Sequence, residues 1–316
     1  MSLKFDPEFL EALSALPPNG PPPALHDIAT RRRDFDAKFS GLSAMLPDMP
    51  DVERREYWVD TADGHKIKIL GFSKKGKSTG KTSALLHFHP GGMILGSVET
   101  FAKVVAMQVS ATGVPMYSVD YRLAPEYPGL IPVEDSYASL LWLRSQADSL
   151  NIDLNRIGVI GESSGGGLAA SVALMARDNK LSPPLAKQIL IYPLLDDRNL
   201  TPNPAIEPMA IWTMGDNITA WTAILGDKAG KAGVSIYSAP ARAPNLAGLP
   251  STYIEVGELD IFRDEDARYA QRIAEANVSI EFHLYPGLPH AFEGIAPQIG
   301  ASTRAMENRF RAISSF

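Results

Sequence analysis

The sequence predicts an α/β fold whose mostly parallel sheet is covered by helices on both faces. Three observations carry that expectation. From residue 84 onward, short apolar runs alternate with helical patterns, and such alternation builds parallel sheets. One strand-to-helix junction reads Gly161-Glu162-Ser163-Ser164-Gly165. The alternation breaks over residues 195–249 and then resumes, as it would around an insertion.

A chain of 316 residues, 45% of them hydrophobic, can bury one large core with a smaller attached piece. A net charge of −6 argues against nucleic acid as the main partner. The compact basic run Arg31-Arg32-Arg33 is followed closely by Asp34 and Asp36, which suits a solvated helix face. There is no cysteine, so a thiol nucleophile, a disulfide frame and a thiolate metal site are excluded. Asp6, Glu8 and Glu11 interrupt the stretch where a signal peptide needs an apolar core. No window reaches membrane-spanning length. A cytoplasmic protein is expected.

Taken in order, residues 6–16 read as a short amphipathic helix stopped by Pro17, Pro18 and the Pro21-Pro22-Pro23 run. Residues 24–46 read as a longer helix, and residues 1–50 as a helical arm outside the sheet. Residues 54–60 and 66–72 flank Ala62-Asp63-Gly64 in a hairpin pattern. Strands follow at 84–89 and 114–120, then a helix around 135–144. The strand 157–160 enters the Gly-x-Ser-x-Gly turn, and a helix through 168–174 leaves it. A strand at 189–192 precedes the irregular segment, within which 211–225 looks helical and carries Trp212, Met214, Trp221 and Ile224. That helix either folds over the strand ends or packs on the sheet in the ordinary way. A strand at 252–256, a helix at 264–276, an alternating strand through Ile280, Phe282 and Leu284, and a helix at 303–314 complete the chain.

Glycines on either side of Ser163 permit a turn too sharp for flanking side chains, which would lift the hydroxyl to the carboxyl end of the sheet. A serine hydroxyl is too weak an acid to attack at neutral pH, so it needs a base, and the base needs an orienting acid. Of the six histidines, His290 is favoured, because its loop directly follows the last strand. Asp260, in Gly257-Glu258-Leu259-Asp260 after the strand 252–256, is the preferred acid, and Glu258 is the alternative. His89-Pro90-Gly91-Gly92-Met93 ends an early strand. Its glycines could turn two amides towards Ser163, with the N–H of Ser164 as a third donor, although Pro-Gly-Gly also suits a plain turn. His87 and His89 have the spacing of a metal pair without two further ligands in evidence, so neither a metal nor an organic cofactor is expected.

These residues resemble the hormone-sensitive-lipase-like family of α/β-hydrolases, the esterases related to arylacetamide deacetylase. The likeness rests on His89-Pro90-Gly91-Gly92, on Asp120-Tyr121-Arg122-Leu123-Ala124-Pro125-Glu126, on Gly161-Glu162-Ser163-Ser164-Gly165-Gly166, on Gly257-Glu258-Leu259-Asp260 and on the His290 loop, all in family order. It implies an α/β-hydrolase fold with an eight-stranded core sheet formed by residues 51–195 and 250–316. It also implies a helical cap from residues 1–50 and 196–249. The roles implied are Ser163 as nucleophile, His290 as base, Asp260 as acid, and Gly91, Gly92 and Ser164 as oxyanion donors. Met93, Trp212 and Met214 are the expected pocket residues. The chain departs from the family pattern at Pro90, Glu162, Ser164 and Ile261. The Tyr-Arg-Leu-Ala-Pro-Glu run reads as architectural. The expected activity is hydrolysis of small to medium acyl or aryl esters through an acyl-enzyme. An amidase or lactonase using the same residues, or a non-catalytic small-molecule receptor, is the alternative. An exposed edge on the last strand suggests a homodimer.

Overall fold

The apolar runs become the middle of one eight-stranded sheet. The computed structural model describes residues 3–16, 20–76 and 80–316. The chain opens with helices α1 (Pro7–Ser14) and α2 (Ile28–Met45), then forms a hairpin of β1 (Val52–Asp60) and β2 (Lys66–Lys74). Next come β3 (Thr82–Phe88), α3 (Ala102–Thr112), β4 (Met116–Val119) and α4 (Ile131–Ser145). The centre of the sheet follows with β5 (Ile152–Glu162), α5 (Ser164–Asp178) and β6 (Lys187–Ile191). After α6 (Met214–Leu225), the last elements are β7 (Ser251–Gly257), α7 (Arg263–Glu275), β8 (Ile280–Tyr285), α8 (Phe292–Ile295) and α9 (Gly300–Ser314).

Across the sheet the order is β1-β2-β4-β3-β5-β6-β7-β8. β2 runs antiparallel to both β1 and β4, and every pairing from β4 to β8 is parallel. Parallel strands need crossovers, and these lay α4, α5 and α7 on one face and α3 on the other, where the C-terminal α9 joins it. Leu85, Leu86, Val159, Ile160, Leu190 and Ile254 are all fully buried, as expected for strands covered on both sides. Among the described residues, no helix is long and apolar enough to cross a membrane.

Three features differ from the sequence reading. α3 went unassigned, although Val105 and Val109 face the sheet and Gly113, at φ 73°, ends the helix. The basic run is not a solvated face. Arg31 is 6% exposed and its Nε donates to Asp216 Oδ1 on α6 at 2.8 Å. Arg32 donates to the carbonyls of Ile94 and Ala124 and to Glu126, leaving Arg33 as the solvated member, paired with Asp34. A guanidinium carries five donors, so two of these arginines tie α2 to the rim instead of facing water. Helix α6 begins at Met214, not residue 211, because Thr213 and Asp216 form a reciprocal capping box. The stop at Pro17 and Pro18 lies outside the described residues.

The arm divides between two sites. α2 meets α6, where the amide of His26 also donates to Thr219 Oγ1 at 3.1 Å. α1 packs instead at the far end of the sheet, with Phe9 buried among Tyr285, Leu288 and Phe292.

The Tyr-Arg-Leu-Ala-Pro-Glu run fastens loops together. Arg122 makes a two-pronged bond to Asp135 (Nε–Oδ2 2.9 Å, Nη2–Oδ1 2.6 Å) and reaches Asp63 Oδ2 at 2.7 Å. Asp135 is fully buried, and its loss removes a two-pronged, charge-assisted bond and leaves the guanidinium to Asp63 alone. Asp135→Ala is expected to lower the unfolding free energy by about 1.5–3 kcal/mol. In urea titrations the midpoint should fall with an unchanged slope.

Candidate active site

Ser163 sits between β5 and α5 at φ 56° and ψ −122°, a conformation costly for a residue with a Cβ. Its surroundings enforce it. The Ser163 amide donates to Ile191 O at 2.8 Å, and its carbonyl accepts from Leu194 N at 3.0 Å and Gly167 N at 3.1 Å. The turn is so tight that a Cβ on Gly161 would lie 2.2 Å from the Gly165 carbonyl oxygen, and one on Gly165 would lie 1.9 Å from that of Phe88. Glycine is obligatory at both positions. The second contact also presses the end of β3 against the first turn of α5, which brings the Gly91-Gly92 loop to the serine.

His290 and Asp260 come to Ser163 from the neighbouring strand ends. His290 Nε2 is 3.0 Å from Ser163 Oγ, and His290 Nδ1 is 2.6 Å from Asp260 Oδ2. Asp260 is fully buried and Ser163 is 3% exposed; enclosure of this kind strengthens each electrostatic contact. The other oxygen of Asp260 accepts the Phe262 amide at 2.9 Å, which fixes the carboxylate despite Ile261. Glu258, the alternative acid, has another task. Its Oε2 accepts the Gly287 amide at 2.9 Å and so holds the backbone of the loop that carries His290.

Gly91 and Gly92, at φ 129° and 63°, turn the chain directly after β3. Among the described residues neither amide meets an acceptor. Ser164 opens α5, where an N–H has no intrahelical partner and the helix dipole favours negative charge. His89 steadies this loop. Its ring stacks on Tyr121 with centroids 4.3 Å apart, and Nδ1 bonds the Pro90 carbonyl at 2.9 Å. Burial pushes its pKa down to about 4, so the ring is neutral at pH 7 and Nδ1–H is the donor.

Of the expected pocket residues, Met93 and Met214 belong to the main core and Trp212 packs against it. The Trp212 ring lies on Gly92, 2.8 Å from where a Cβ on that glycine would stand. Met214 joins Ile206, Ile261, Asn199 and Arg268 around a cavity of about 100 Å³. Met93 lies in the main core, 2% exposed.

Sequence reasoning missed a buried polar chain beneath the serine. His87 Nε2 contacts Glu162 Oε2 at 2.9 Å, His87 Nδ1 contacts Ser118 Oγ at 2.8 Å, and Gln108 donates to Glu162 Oε1 at 3.2 Å. Burial alone would raise the Glu162 pKa, but His87, Arg309 and Gln108 together outweigh it and leave the carboxyl below its ordinary value. Both ring nitrogens of His87 are thus engaged, one by Glu162 and the other by Ser118. The two residues are 75 positions apart, and only the pairing of β3 with β4 and β5 brings them together. The available signal was Glu162 itself, an acid in an otherwise apolar strand end.

With this geometry in place, comparisons with known proteins identify the chain. The profile of the alpha/beta hydrolase fold family matches residues 85–294. The chain belongs to that family, in its hormone-sensitive-lipase-like branch. It is 36% identical to Esterase LipI of Mycobacterium tuberculosis over 227 residues, covering 70% of this chain and 69% of that protein. Carboxylesterase NlhH of the same species is 34% identical over 225 residues, with 70% of each chain covered. Among solved structures, a bacterial heroin esterase superposes with a TM-score of 0.89 at 35% identity, covering 98% of this chain and 97% of that one.

Two buried acids follow Asp260 on α7. Glu265 accepts the amides of Leu195 and Asp196 at 2.8 and 3.2 Å, yet burial dominates and pushes its pKa from the ordinary 4.5 up to about 8. Asp266 has no partner for either oxygen among the described residues, and burial, with Glu265 and Asp260 adding to it, raises it as well. Between pH 4.5 and about 8 the folded chain keeps the Glu265 proton that the unfolded chain has released. Stability therefore falls as pH rises through that window, at up to about 1.4 kcal/mol per pH unit for this group. Glu265→Gln is expected to flatten the fall in chemical-denaturation series across the window; an unchanged slope would contradict the assignment.

Proposed function

We propose that this chain hydrolyses small to medium acyl or aryl esters, with Ser163 as nucleophile, His290 as general base and Asp260 as the orienting acid. That it is a carboxylic ester hydrolase follows from its esterase relatives. The single observation that carries the residue assignment is the relay from Asp260 through His290 to Ser163, with contacts of 2.6 and 3.0 Å.

In the reaction, Ser163 Oγ attacks the acyl carbonyl while His290 Nε2 takes the hydroxyl proton. Asp260 accepts from Nδ1–H, sets the tautomer and stabilises the imidazolium. Negative charge that develops on the carbonyl oxygen is met by the free amides of Gly91 and Gly92 and by that of Ser164 at the start of α5. His290 then returns the proton to the leaving alcohol. Water, activated by the same imidazole, attacks the acyl-serine and releases the acid. The cap over this site comprises α2 and residues 196–249. The ion pair between Arg31 and Asp216 supports that grouping, as does Trp212 lying on the oxyanion loop. α1 is better grouped with the loop that carries His290. A homodimer through the free edge of β8, where Leu284 is 43% exposed, belongs to the same reading.

Ser163→Ala should leave the thermal midpoint unchanged and lower the hydrolysis of p-nitrophenyl butyrate by about a thousandfold or more. Turnover near that of the wild type would reject Ser163 as the nucleophile.

A further inference from the structure

Arg309, on α9, is 2% exposed, and the groups it joins lead directly to the catalytic rim. Its Nε donates to Glu255 Oε1 at 3.1 Å, and Nη2 bonds that same oxygen as well as Glu293 Oε1, the latter at 2.8 Å. Glu255 lies on β7, the strand that ends at the Asp260 turn. Glu293 lies on α8, the helical turn entered directly from His290 and Ala291. A third element closes the ring. Tyr192, just after β6, donates from its hydroxyl to Glu293 Oε1 at 2.7 Å, and its aromatic edge meets the His290 imidazole with centroids 4.6 Å apart.

Stability alone is a poor reason for this arrangement, because a buried ion pair seldom outperforms well-packed apolar side chains. Position is a better one. The chain around His290 is irregular, and two of the residues involved, Ala291 and Tyr192, are held at φ 55° and 36°. Such backbone persists only where its surroundings over-determine it. An imidazole that must face Ser163 and Asp260 at once tolerates little drift, since a misplacement of about 1 Å can cost about a hundredfold in rate.

We propose that Glu293, held between the Arg309 guanidinium and the Tyr192 hydroxyl, is a positioning residue that fixes the His290 loop so that the imidazole meets Ser163 and Asp260 together. Glu293 touches neither substrate nor the reacting atoms, and acts through Tyr192 and the short path to His290. The inference rests on the reading of His290 as general base.

The test uses steady-state hydrolysis of p-nitrophenyl butyrate by the full-length chain. Glu293→Ala is expected to lower kcat by about tenfold or more with KM within about twofold of wild type. Glu293→Gln retains a carbonyl oxygen for both Arg309 and Tyr192 and should bring kcat back to within about threefold. A folded Glu293→Ala with wild-type kcat would overturn the proposal, as would a Gln variant as impaired as the Ala variant. If Glu293→Ala fails to fold, Tyr192→Phe decides: it keeps the ring against His290 and removes the hydroxyl. Its kcat should fall by about threefold or more with KM unchanged, and an unaltered kcat would overturn the proposal. An active Ser163→Ala would count against the underlying reaction scheme; normal kinetics in the Glu293 variants beside an inactive Ser163→Ala would count against the positioning role alone.

Discussion

The contact between His290 Nε2 and Ser163 Oγ, 3.0 Å long, is the constraint around which the rest of the molecule is arranged. An alcohol with so little acidity becomes a nucleophile only if a base waits within hydrogen-bond reach. The two side chains are 127 positions apart and arrive on loops of different strands, so their meeting depends on the sheet's order and register. The glycine-lined turn after β5 raises the serine. The parallel pairing of β6, β7 and β8 then sets the Asp260 and His290 loops beside it. Removing water from this rim strengthens the relay, but every other polar group there must then find a partner.

Those partners form a layer of buried polar groups on the α3 and α9 side of the sheet. Ser118, His87, Glu162 and Gln108 occupy the part under Ser163, while Glu255, Arg309 and Glu293 occupy the part under the loops of Asp260 and His290. Each group comes from a different strand or helix, so the layer joins seven separate elements of the fold. Such networks are demanding, because an unsatisfied member destabilises more than an apolar substitute would. Their placement beneath the loops of Ser163, Asp260 and His290 agrees with a task in holding those loops.

Much of the fold was legible because its strands are short apolar runs and its turns carry glycine and proline. The wound sheet and most of its strands and helices follow from local pattern. α3 escaped because its apolar face is narrow and Gln108 interrupts it. The arginine run was misread because charge density alone does not reveal acceptors supplied by loops far along the chain, here the carbonyls of Ile94 and Ala124. The choice between Asp260 and Glu258 turned on which carboxylate points at the imidazole and which caps the Gly287 amide, a matter of loop conformation. The His87–Glu162 contact is similarly a product of strand register and has no signature in spacing.

If acyl transfer passes through Ser163, the transferred group can be trapped there. Enzyme quenched in acid during turnover of p-nitrophenyl acetate, digested and read by peptide mass spectrometry, should carry the acetyl mass on the peptide containing Ser163 and specifically on that side chain. Acetyl found on a different residue, or turnover that leaves no covalent adduct under conditions where deacylation is slowed, would contradict the account.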